Sequence, residues 1–128
     1  MTNPPASLPR RLLVESLTLL AADASAQRAW LDTYAVGPDE IALDFDHASR
    51  MLPGMVEAGL ADDEDVPDLR AIDGILGGMS GPEDAERWTR DALADDPGWE
   101  EARRLARRVL VRMLGEWRLP FPEITVVR

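Results

Sequence analysis

The sequence predicts an all-α domain, and three observations carry that prediction. From Asp96 to Arg118 the apolar residues Trp99, Ala102, Leu105, Ala106, Val109, Leu110, Met113, Leu114 and Trp117 recur every three or four positions, the spacing of one helix face. Shorter stretches upstream repeat the same period and are separated by Gly and Pro, which break helices. The only dense β-favouring run, Ile124 to Val127, comes at the very end. Placed at 100° per residue, the apolar face of the long C-terminal helix spans an arc of about 180°, wider than the stripe of a helix packed on one side only. Several other segments must therefore surround it.

The elements follow in chain order. Residues 1–7 form a Pro-containing tail and residues 8–118 the helical domain, a compact bundle of about six helices. The first helix runs from Leu8 or Pro9 to Ala22, with Leu13, Leu17 and Leu20 on one face. Asp23 or Ser25 caps a second that carries Trp30, Leu31 and Tyr34 and ends at Gly37-Pro38. Pro38 opens the third, where Asp39 and Glu40 meet the positive end of the helix dipole and Ile41, Phe45, Ala48 and Leu52 make the buried line. Pro53-Gly54 marks a kink or a new start, and Met55 to Ala58 is one short helical turn, which Gly59 ends. Asp62 to Asp65 then reads as a loop and cap for a helix over Val66 to Met79 whose end is weakened by Gly77-Gly78. Ser80-Gly81-Pro82-Glu83 starts a helix presenting Ala85, Trp88, Ala92 and Leu93. Asp96 and Pro97, as cap and first helical residue, open the long helix over 97–118.

Residues 119–128 behave differently. Leu119-Pro120-Phe121-Pro122 cannot continue a helix, so the segment is expected to be an extended tail. A lone strand leaves its backbone groups unpaired, and three outcomes answer that: packing across its own bundle, pairing with a second copy in a homodimer, or adding to a partner's sheet.

Composition limits the function. The chain has 128 residues, enough for one domain that buries roughly two-thirds of its unfolded surface without staples. It contains no cysteine, which excludes disulfides, a thiolate metal site and a cysteine nucleophile. Twenty-four acidic residues against 14 arginines give a formal charge of −10, which opposes binding to nucleic acid or anionic membrane and favours a cationic partner. No window approaches the run of about 18 apolar residues that a membrane span needs. Arg10-Arg11, Leu12-Leu13-Val14 and Ala24-Ser25-Ala26 imitate a secretory signal, but Glu15, Ser16 and Thr18 interrupt the apolar run and an amphipathic helix explains it better. A cytoplasmic protein is expected.

Chemistry-bearing residues are few. His47 is the only histidine, and Asp44 precedes it by three, so the two share a helix face. Bundle metal sites built on such a pair need a second one and further carboxylates, so no metal and no cofactor are expected. There is no Gly-x-Ser-x-Gly turn, and Gly77-Gly78-Met79-Ser80-Gly81 lacks the lysine of a phosphate loop. Arg103, Arg104, Arg107, Arg108 and Arg112 line the polar side of the long helix; Glu100 is placed to pair with Arg104, and the others to meet acids of neighbouring helices.

These observations favour a non-enzymatic interaction module, of the kind an immunity-type inhibitor of a basic toxin or nuclease represents. Its expected partner-binding residues are Asp39, Glu40, Asp44, Asp46, Asp62, Asp63, Glu64 and Asp65, two acidic groups flanking the Pro53-Gly54 joint. The alternatives are a small enzyme or metal-binding protein built on Asp44, His47 and nearby carboxylates, and a structural homodimer subunit joined through the tail.

Overall fold

The computed structural model describes residues 7–121. Among them are seven α-helices, two 3-10 segments and no strand. The helices are α1 (Ser7–Ala21), α2 (Ala24–Tyr34), α3 (Asp39–Ser49), α4 (Leu52–Glu57), α5 (Val66–Gly78), α6 (Ala92–Asp95) and α7 (Pro97–Leu114). One 3-10 segment, Asp63–Asp65, leads into α5, and the other, Pro82–Trp88, precedes α6.

α7 is the axis of the bundle. It packs most extensively against α5 and α1, while α3 packs against α1 and touches α5. Trp99, Ala102, Leu105, Ala106, Val109 and Leu110 of α7 are buried together with Leu13, Leu17 and Leu20 of α1, Ile41 and Phe45 of α3, and Leu69, Ile72 and Leu76 of α5. Its start is as the residue types dictate: Pro97 sits in the first turn and the Asp96 carboxylate accepts the Gly98 N–H at 2.7 Å.

Its end is not. α7 stops at Leu114 instead of Arg118, because Gly115 adopts a left-handed conformation (φ 83°) at little cost and its N–H closes the helix on the Val111 carbonyl at 2.9 Å. Met113, in the last turn, is only half-buried, and Trp117, expected on the buried face, lies beyond the helix with its ring centroid 3.8 Å from the Arg107 guanidinium carbon.

The stretch read as one helix from Pro82 onward is also broken in two. The Trp99 indole N–H donates to the Arg87 carbonyl at 2.8 Å, claiming an acceptor that a continuous α-helix would need for the amide of residue 91. The Trp88 indole donates to the Met79 carbonyl at 2.7 Å, and the two rings meet edge to face at 5.3 Å. Thr89 is extended, and its hydroxyl accepts the Ala92 N–H to start α6.

Two smaller departures concern a cap and an ion pair. Asp23 flanks α2 without a side-chain capping bond and binds Arg107 instead, at 2.8 Å. Arg104 pairs with Glu101, one turn back, in place of Glu100. Of the expected C-terminal tail, residues 122–128, with the proposed pairing of Ile124 to Val127 in cis or in a homodimer, lie outside the described residues. No helix among the described residues is long and apolar enough to cross a membrane.

Leu110 has no solvent exposure and sits where α7 meets the other helices. Leu110→Ala is expected to cost about 2 to 5 kcal/mol in a denaturant titration, the lost transfer energy plus the cavity left behind. A loss below about 0.5 kcal/mol, the size of an ordinary surface change, would show that α7 is not the centre of the core.

Candidate partner-binding surface

The structure sorts the acidic residues by where their helices turn them. Asp65 is nearly inaccessible, at 3% exposure, and accepts a hydrogen bond from Arg112 Nε at 2.8 Å. It is an internal ion-pair partner of α7, which removes it from the expected docking group. Asp68, three residues on, takes Arg108 through both oxygens (3.0 and 2.5 Å) and Arg112 at 2.6 Å. The guanidinium of Arg108 first, and then that of Arg112, holds the Asp68 carboxyl below its ordinary value of 3.8 against the opposing effect of burial. Asp62, Asp63 and Glu64 are exposed, and no ion pair among the described residues reaches them.

The acids of α3 do not form one patch. Glu40 and Asp44 lie on the flank towards Glu15 of α1, where burial, then Glu40, then Glu15 raise the Asp44 carboxyl above its ordinary value while His47 pulls the other way. His47 itself is exposed, and no group of three or more histidine and carboxylate side chains that could hold a metal exists among the described residues. Asp44 and His47 are thus neighbours without the further ligands a metal site requires.

Asp39 and Asp46 lie on the opposite flank of α3, at the edge of a groove of about 480 Å³ between α3 and α5. Ala42, Leu43 and Phe45 of α3 face Leu76 and Gly77 of α5 across it, and Trp88 closes one end, held there by its bond to Met79. Asp73 of α5 adds a third carboxylate. No arginine lines this groove. Asp39 and Asp73 carry no ion pair among the described residues, and Asp46 has only Arg50, which is 74% exposed at 2.9 Å, a surface pair of small energetic value. Leu43 remains 45% exposed on its wall. The groove is apolar inside and negative at the rim.

Sequence reading reached Asp39 and Asp46 but missed Asp73, Leu43 and Trp88 as their companions. Part of the signal was present: Asp39, Ala42, Leu43 and Asp46 follow the i, i+3, i+4, i+7 pattern of one helix stripe, separate from the buried stripe of Ile41, Phe45 and Ala48. The facing wall was not, because only packing brings Asp73 and Trp88 opposite it. No protein-family model, curated protein or solved structure matches the chain, so the surface is read from its own geometry.

Two carboxylates should move stability with pH in opposite directions. Asp68, held below 3.8, contributes stability that is complete above that value and is lost as pH falls through its folded-state value. Asp68→Asn should lower the melting temperature at pH 7 and flatten the decline expected below about pH 4. Asp44, raised by burial and like charge, opposes folding once ionised, so Asp44→Asn should raise the melting temperature at pH 7 and lose that advantage in acid. Thermal melts from pH 2 to pH 8 check both signs, within the usual titration range of carboxylates.

Proposed function

We propose that this chain is a non-enzymatic, cytoplasmic interaction module that captures a basic protein, in the manner of an immunity-type inhibitor of a toxin or nuclease. The observation that carries this reading is the direction of the charges. Arg103, Arg107, Arg108 and Arg112 of α7 are turned to the backbone and acids of neighbouring helices. Arg107, Arg108 and Arg112 are matched by Asp23, Asp65 and Asp68, and Arg103 by backbone carbonyls and Gln27, while Asp39, Asp73, Asp62, Asp63 and Glu64 stand on the outside without ion-pair partners among the described residues. Summed over a net charge of −10, this arrangement attracts a cationic protein over a distance of several ångströms and repels nucleic acid.

The reading is tested on the products of neighbouring reading frames, where a toxin and its neutraliser are encoded together. A basic product should bind with an association rate that falls at least about tenfold between low and high salt. Asp62→Asn/Asp63→Asn/Glu64→Gln should slow that association at low ionic strength and leave the melting temperature nearly unchanged, whereas Asp65→Asn should lower it by removing the buried carboxylate that Arg112 Nε donates to, leaving Arg112 only Asp68. An association rate indifferent to salt would remove electrostatic capture as the function.

A further inference from the structure

The groove between α3 and α5 has a spacing as well as a charge. Asp39 and Asp46 are seven residues apart, two helical turns, which places them about 10 Å apart along the axis of α3. A single ammonium or guanidinium group contacts carboxylates within about 4 Å and cannot bridge that distance. Between the two acids lie Ala42 and the half-open Leu43, with Leu76 and Trp88 opposite and Asp73 on the far wall. The matching ligand therefore carries two cations about two turns apart with an apolar group between them. A helix with basic residues at i and i+7 and an apolar residue at i+3 or i+4 has that layout on one face. A room of about 480 Å³ takes its anchoring side chains and leaves its backbone outside.

We propose that this groove receives an amphipathic helix of the basic partner, with arginine or lysine at i and i+7 set against Asp39 and Asp46 and an apolar side chain between them over Leu43, Leu76 and Trp88. The inference rests on the capture of a basic protein argued above and names where and how that protein is gripped. Exposed acids such as Asp62, Asp63 and Glu64 act at long range on the rate of encounter; the groove decides how long the partner stays.

The probe is a synthetic helical peptide of about 15 residues with two arginines seven apart and a leucine pair between them. Its controls are a scrambled peptide of the same composition, which scatters the arginines around the helix, and free arginine amide. Binding kinetics are measured on the full chain at low salt. The patterned peptide should bind at least about tenfold more tightly than the scrambled one, a difference of about 1.4 kcal/mol. Asp39→Asn/Asp46→Asn/Asp73→Asn should speed its dissociation about tenfold, the same free energy. Leu43→Ser, which leaves every charge in place, should also speed dissociation. Asp62→Asn/Asp63→Asn/Glu64→Gln should change only the association rate. Equal binding of both peptides, or unchanged dissociation from the Asp39/Asp46/Asp73 variant, would overturn the groove as the docking site while leaving capture by the acidic field standing. Free arginine amide binding as well as the peptide would overturn it in favour of a small-cation site. If neither peptide binds at low salt, capture of a basic partner falls with it.

Discussion

The fold depends on how the buried C-terminal end of α1 is satisfied. A helix leaves its last carbonyls without intrahelical partners, and those of α1 end in the interior beside α7. Gln27, fully buried, donates its amide to the carbonyls of Leu19 and Leu20 at 3.0 and 3.2 Å. Arg107 Nε donates to Ala21 O at 2.7 Å and Arg103 Nε to Ala22 O at 2.9 Å. Arg103 reaches further, to Gln27 Oε1 and to the Leu93 carbonyl of α6. One guanidinium thereby ties α1, α2, α6 and α7 together. Burial and the nearby charge of Arg107 push the Arg103 guanidinium below its ordinary value, yet an arginine remains charged throughout the physiological range. Positive charge at a helix C-terminus is also favoured by the helix dipole.

That arrangement has consequences for the surface. Because α7 must supply two arginines to α1 and two more to Asp65 and Asp68 at the start of α5, the basic side of the longest helix is consumed in holding the bundle together. What is left to face solvent is largely acidic. The sign of the external field follows from the excess of 24 acidic residues over 14 arginines, and the pairing in α7 decides which carboxylates are left without a nearby guanidinium.

The tryptophan pair plays the corresponding part at the other end. Trp88 and Trp99 pack edge to face, and each donates its indole N–H to a backbone carbonyl outside the α-helices. They hold the Pro82–Trp88 segment against α7, and Arg87 adds a two-bond contact to Asp96, the cap of α7. Asp96 is held below its ordinary value by Arg87 first and then by the Gly98 amide, against the opposing effect of burial. Fixed in this way, Trp88 becomes the end wall of the groove beside α3, so a contact formed for stability also shapes the candidate docking site.

Local chemistry was enough to identify most of the elements. The 3.6-residue period of α7, the Asp96-Pro97 start and the buried line of Ile41, Phe45 and Ala48 in α3 are legible because each depends on residues a few positions apart, whereas α2 ends at Tyr34, ahead of Gly37-Pro38, with Ala35 left-handed, and Leu52 belongs to α4 instead of α3. The exclusion of cysteine chemistry is compositional and equally direct. The sequence alone also implied that the arginines of α7 would meet acids of other helices, but it could not tell which acids. Asp65 looks like its exposed neighbours Asp62 to Glu64, and only the packing of α5 on α7 buries it against Arg112. Gly115 ends α7 before Trp117 through a local left-handed cap on Val111, whereas the Trp99 bond to Arg87 interrupts the helix expected after Pro82 because a partner distant in the fold competes with local propensity for the same backbone group. The split of the α3 acids between Asp39 and Asp46 on one flank and Glu40 and Asp44 on the other follows from helix geometry; that one flank faces a groove and the other faces Glu15 was decided by tertiary structure, since a side chain's surroundings are set by elements distant in sequence.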